Sequence, residues 1–140
     1  MLQFDIAGAI VKPYVRMTQR GKYVKPQARE YLASKAALAE DIEKCMLAAG
    51  KSMLPEKTPF SVFVWITTPT SQGHRADLDN IFKAIMDACN GVAFPDDRWV
   101  DSFTVNRDFG YPNLKMMMKR FPSAPIKSAW KRRMSGCGRR

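Results

Sequence analysis

One histidine, His74, and three cysteines, Cys45, Cys89 and Cys137, are all this 140-residue chain offers in soft metal ligands. The cysteines lie far apart and form no C-x-x-C pair, and with a single histidine there is no credible zinc site. They fit the reduced thiols of a cytoplasm better than a disulfide framework. No apolar run approaches the length of a membrane span, and the first residues lack the charged-then-apolar pattern of a signal peptide. A soluble, cytoplasmic protein is expected, with neither a membrane nor a small-molecule cofactor among its partners. Acids are also scarce: 13 Asp and Glu stand against 23 Lys and Arg, a net charge of +10, which favours a polyanionic partner. What is plentiful is apolar surface. At 46% hydrophobic residues the chain is no disordered segment, and its length suits one domain with its own core.

The distribution of charge says more than its sum. From Lys115 to Arg140 there are nine Lys or Arg and no acid, whereas Asp77 to Asp108 holds seven of the acids. An acidic island in a basic protein repels a polyanion unless something neutralises it, and a divalent cation would do so.

Alternating apolar positions predict a first strand over Leu2–Val11, with Phe4, Ile6 and Ile10 on one side. Tyr14 to Lys25 is a basic loop carrying Arg16, Arg20, Lys22 and Lys25. Pro26 suits a helix start, and Leu32, Ala36, Ala39, Ile42, Met46 and Ala49 recur at helical spacing up to Gly50. Pro59–Thr68 is rich in β-branched and aromatic residues and reads as a strand covered on both faces. Asp77–Cys89 is a second helix with Leu78, Ile81, Phe82, Ile85 and Cys89 on one side, closed by Asn90-Gly91. Trp99–Arg107 and Asn113–Phe121 are two more strands, joined as a hairpin through Gly110-Tyr111-Pro112. The expected fold is α+β: a mixed four-stranded sheet in the order β-α-β-α-β-β with two packed helices. After Phe121, prolines, glycines and Lys/Arg take over, so residues 122–140 read as a basic tail around Trp130, Lys131, Arg132 and Arg133.

The stretch that carries chemistry is Arg75-Ala76-Asp77-Leu78-Asp79-Asn80, then Lys83, then Asp96-Asp97. A helix start tolerates carboxylates because its free N–H groups and dipole favour negative charge. If the strand after Asp97 begins beside the start of the second helix, three or four carboxylates meet. Oxygen donors in that number suit Mg²⁺ or Mn²⁺. Lys83 falls four residues after Asp79, on the same helix face, where it would steady the carboxylates or reach a phosphate. Plainer uses exist for each residue: Asp77 as a cap, Asp79–Lys83 as a surface ion pair, Asp96-Asp97 as a turn. Asp87 and Asp101 read as solvated charges, and Arg75 as a phosphate contact.

Taken together, Arg75, Asp77-Leu78-Asp79-Asn80-Ile81, Lys83-Ala84, Asp87-Ala88, Asn90-Gly91-Val92, Asp96-Asp97 and Val100 resemble the RusA family of Holliday-junction resolvases. The resemblance covers about residues 2–121, with residues 122–140 left as an extra tail. It implies a homodimeric, Mg²⁺-dependent endonuclease that nicks four-way DNA junctions symmetrically, working at the nucleoid; a phage or prophage source fits the family. It implies that Asp77, Asp79 and Asp97 bind the metal, with Asp96 as the neighbouring acid and Lys83 as the functional lysine. Arg16, Arg20, Lys22, Lys25, Arg75, Trp130, Lys131, Arg132 and Arg133 are the candidate DNA contacts. Trp99 departs from the family's usual glutamine, which bears on substrate preference rather than chemistry. Three other readings compete: a junction-binding protein without cleavage, a metal-dependent phosphohydrolase, and a plain basic nucleic-acid module.

Overall fold

The computed structural model describes residues 2–15, 26–69 and 77–120. Its elements run β1 (Leu2–Ala7), α1 (Pro26–Ala48), β2 (Phe60–Thr68), α2 (Leu78–Cys89), a 3₁₀ turn (Asp97–Trp99), β3 (Val100–Phe109) and β4 (Asn113–Arg120). The class and the element order are those expected from the sequence. The sheet order is β1-β4-β2-β3, with β2 and β3 parallel and the other pairs antiparallel.

That order corrects the expected hairpin. β3 and β4 are not partners: β2 lies between them. The Gly110–Pro112 link steps across the end of β2, where the Gly110 N–H bonds the Thr68 carbonyl at 2.9 Å. Composition explains the choice. β4 alternates Leu114, Met116 and Met118, all fully buried, and needs strands on both sides. β3 carries Asp101, Ser102, Thr104, Asn106 and Asp108, which an edge tolerates.

The register puts Leu2, Phe4 and Ile6 beside Met118, Met116 and Leu114, which in turn lie beside Val62, Val64 and Ile66. All nine are buried, so one face of the sheet is the core floor. Leu38, Ile42 and Met46 of α1 and Ile81, Ile85 and Cys89 of α2 close it from above. Burial pushes the Cys89 thiol up to about 12. The α1 stripe differs from the expected one. Ala28, Tyr31 and Leu38 are buried, whereas Ala36 and Ala49 face solvent. The expected and observed stripes share Ile42 and Met46, and the large Tyr31 side chain sets the rotation at the helix start.

Two further expectations give way. β2 is covered on one face only: Phe63 and Trp65 stack on the other at 6.3 Å, with Lys119 and Lys115 over their rings. A single layer of two helices leaves that face open among the described residues. β1 stops at Ala7, not Val11, because Gly8 turns the chain at φ 78° and its N–H bonds the Pro112 carbonyl. Ile10 is therefore exposed rather than part of the alternation.

Candidate active site

α2 organises the candidate residues. Its apolar residues recur at Ile81, Ile85 and Cys89, which pins one side to the sheet and turns Asp79 and Lys83 outward. Asp77 is the N-cap residue by backbone, its carbonyl accepting from the Ile81 N–H at 3.2 Å. Its side chain makes no capping hydrogen bond, so the plain capping use is not what occupies this carboxylate. At the other end, Asn90 follows the last helical residue and Gly91 adopts φ 80°, the left-handed stop expected of Asn-Gly.

Lys83 does not pair with Asp79. Its ammonium sits 3.8 Å from the centroid of the Tyr14 ring. Tyr14 meets Tyr31 edge-on at 5.7 Å, and its N–H bonds the Asn80 carbonyl. The Tyr31 hydroxyl donates to Asp87 at 3.0 Å. Burial and that carboxylate keep the hydroxyl protonated far above its usual range. Asp87 is thus half-buried and held in place, not the solvated charge expected from the sequence. Tyr14, Tyr31, Asp87 and Asn90 were not among the candidates, and their role shows only in the fold, since Tyr31 and Asp87 are 56 residues apart.

Asp96 and Asp97 divide their duties. Asp96 caps the 3₁₀ turn, accepting from the Arg98 N–H at 3.0 Å and from Arg98 Nε at 2.9 Å. The backbone N–H and the guanidinium hold its carboxyl below the ordinary range. Asp97 moves the other way. Partial desolvation raises its carboxyl, Asp96 and Asp87 push in the same direction, and the Asn90 amide pulls against them.

The expected convergence of acids in one place does not occur within one chain. β3 runs parallel to β2, so Val100 lies beside Phe60, at the start of β2, rather than beside Thr68, the end that leads to α2. Asp97 therefore sits with Asn90 and Asp87 at the C-terminal end of α2, whereas Asp77 and Asp79 stand at its N-terminal end. Among the described residues no three His, Cys, Asp or Glu side chains are grouped closely enough to hold a metal ion. The carboxylates fit a hard divalent cation in kind but not, inside a single chain, in spacing. The candidates Arg16, Arg20, Lys22, Lys25, Arg75, Trp130, Lys131, Arg132 and Arg133 lie outside the described residues.

A mixed sheet with helices on one face, a lysine on the outward side of α2 and acids at both of that helix's ends make this a small α+β protein. The profile of the family described as Endodeoxyribonuclease RusA matches residues 10–124, and the chain belongs to that family. It is an endodeoxyribonuclease of the crossover-junction resolvase type, a family that acts on branched DNA with divalent metals. A comparison with curated proteins gives no match. Among the described residues no helix is long and apolar enough to cross a membrane.

Proposed function

We propose that this protein resolves four-way DNA junctions by paired, symmetric nicking in recombination and repair, as a Mg²⁺-dependent homodimer. The observation that carries the reading is the family match across residues 10–124, which encloses Asp77, Asp79, Lys83, Asp96 and Asp97 in one run. The exposure of Asp77 and Asp79, with neither consumed by a side-chain cap or by an ion pair among the described residues, supports it.

In this reading Asp77, Asp79 and Asp97 are the metal-binding acids, with Mn²⁺ a substitute for Mg²⁺. Asp96, committed to Arg98, sets the shape of the turn that presents Asp97. Lys83 offers a positive charge on the outward side of α2, within reach of a phosphate brought to the helix start. The N-terminal end of α2 adds its own partial positive charge there. Affinity comes from Lys and Arg on phosphates: the loop of Arg16, Arg20, Lys22 and Lys25, Arg75, and the tail with Trp130, Lys131, Arg132 and Arg133. Binding of this kind weakens steeply with salt. Residues 1–121 form the nuclease domain and residues 122–140 a DNA-binding arm.

A junction assay tests this. A synthetic four-way junction, incubated with Mg²⁺ or with EDTA, should be nicked at symmetry-related positions on two strands only in Mg²⁺, leaving ligatable 5′-phosphate ends. Binding without nicking would favour the junction-binding alternative. Hydrolysis of small phosphate esters, unaffected by competing DNA, would favour the phosphohydrolase.

A further inference from the structure

The face of the sheet opposite the helices takes no part in the acid site. Alternation along β2 and β4 sends Val62, Val64, Met116 and Met118 into the core. Phe63 and Trp65 of β2 and Lys115, Met117 and Lys119 of β4 therefore project from the other side. These strands are the central pair of the sheet, and register sets Phe63 beside Met117 and Trp65 beside Lys115. Trp65 is 38% exposed and Phe63 half-buried. The two rings are near-parallel, 16° apart, with centroids separated by 6.3 Å.

The lysines sit loosely on these rings. Lys115 Nζ is 5.9 Å from the Trp65 centroid and Lys119 Nζ 6.0 Å from that of Phe63, the outer limit of a cation–π contact. Neither is in an ion pair among the described residues. β2 and β4 carry no acid at all, and Asp5, the acid in register with Lys115, lies on the edge strand β1. The centre of the face is thus aromatic and positively charged.

That combination selects an occupant. A second copy would set lysine against lysine, and residues 122–140 hold Lys and Arg without an acid, so like charge disfavours both. A DNA duplex supplies phosphates, but its bases stack on one another and show only their edges in the grooves. An unpaired strand supplies phosphates for lysines and bare base faces for aromatic rings. A four-stranded sheet with aromatic residues at its centre stacks two or three bases in just this way in other nucleic-acid-binding folds. Thr104 and Asn106 of β3 lie in register with Phe63 and Trp65, which puts a hydroxyl and an amide beside the rings for base edges. We propose that this open face is a separate nucleic-acid site that binds single-stranded DNA, with bases stacked on Phe63 and Trp65 and phosphates on Lys115 and Lys119. DNA is the strand in question because the family acts on DNA. Stacking accepts every base, so sequence preference is slight. The site goes beyond the junction-nicking reading and stands without it, since it needs neither a metal nor a cut bond.

The test is binding of a fluorescein-labelled oligo(dT) to the full chain, in EDTA so that cleavage plays no part. Trp65→Leu and Phe63→Leu keep apolar cover on the sheet, and each should weaken binding by about tenfold. Lys115→Gln combined with Lys119→Gln should flatten the fall of log K with log salt by about 1.4, at about 0.7 per phosphate on a single strand. Unchanged affinity in both leucine variants would place the strand on the basic loop or the tail and overturns the proposal. Should those variants fail to fold, a Trp99→Phe, Trp130→Phe protein, in which Trp65 is the one tryptophan, reads the same contact. Oligo(dT) should quench its emission, and binding without quenching overturns the site. So does Trp65 emission shielded from acrylamide in the free protein, because another segment or a second copy would then cover the rings. Equal quenching by a duplex of the same length would overturn the choice of an unpaired strand. A wild-type protein that binds oligo(dT) on this face but nicks no junction would sink the nuclease reading alone.

Discussion

Lys83 Nζ stands 3.8 Å from the centroid of the Tyr14 ring, and that ring meets Tyr31 edge-on. Lys83, proposed above to meet a phosphate, is therefore positioned by the segment that leads into the basic 16–25 stretch, not by the carboxylate one helical turn before it. A cation over an aromatic face at a partly exposed site is worth on the order of 1 kcal/mol. Tyr14→Leu is expected to lower kcat/KM for junction cleavage by about fivefold, the equivalent of that loss. Tyr14→Phe keeps the ring and should keep the rate. Steady-state cleavage, with thermal melts to confirm folding, measures both. Equal loss in the two variants would mean that the hydroxyl, not the ring, matters.

Asp79 lies in the first turn of α2, exposed, with its carboxylate free of Lys83. Asp79→Asn preserves size and hydrogen bonding but removes the negative charge a divalent ion requires. Cleavage should fall by at least about a hundredfold, since a metal contributes several kcal/mol to such a transition state. Junction affinity, which depends on basic residues, should be unchanged in a gel-shift assay. Loss of binding with cleavage intact in the remaining complex would contradict the assignment.

Much of this was legible in the chain itself. α2 could be read end to end because its signals are local: an acid at the cap, apolar residues at helical spacing, Asn90-Gly91 to stop it. The acids and Lys83 were legible from their spacing for the same reason. What resisted reading was long-range. A three-residue link containing Gly110 looks like a hairpin, yet Leu114, Met116 and Met118 are buried more completely between β1 and β2 than a partner at the edge would allow. The position of Asp97 depends on a separate long-range choice: β3 runs parallel to β2, so Asp97 lies by the start of β2 and not by the end that leads to α2. Tyr31 and Asp87 meet only because α1 packs on α2, and no local pattern in either helix announces it.

Asp97 and Asp96 should respond in opposite senses to neutralisation. In the folded chain desolvation and the nearby Asp96 and Asp87 raise the Asp97 carboxyl above its ordinary value of 3.8. A raised carboxyl stabilises the fold below its unfolded value, and that contribution is lost as pH rises through the folded value. At neutral pH the Asp97 charge is therefore a burden on the metal-free protein. Asp97→Asn should raise its Tm in EDTA at pH 7, and the gain should shrink as the pH is lowered toward 4. Asp96 is held low by Arg98, so its contribution is present above its unfolded value and lost on acidification. Asp96→Asn should lower the Tm at pH 7. Melting curves at several pH values decide the matter, and a lower Tm for Asp97→Asn at pH 7 would refute the account. Such a trade of stability for function is usual at sites that bind charged partners.

The tail should govern affinity rather than chemistry. Residues 122–140 hold Lys127, Lys131, Arg132, Arg133, Arg139 and Arg140 and no acid, whereas every acid of the α2 region lies before Asp108 or at it. Each phosphate neutralised by a basic side chain steepens the fall of log K with log salt by about 0.9 on duplex DNA. Deleting residues 122–140 should flatten that slope by a few units and weaken junction binding most at low salt. The cleavage rate at saturating protein should stay near that of the full chain, because Asp77, Asp79, Lys83 and Asp97 remain. Fluorescence anisotropy across a salt series, beside single-turnover cleavage, separates the two effects. A truncated protein that folds, binds the junction and still fails to cleave would place a residue of the tail within the catalytic site.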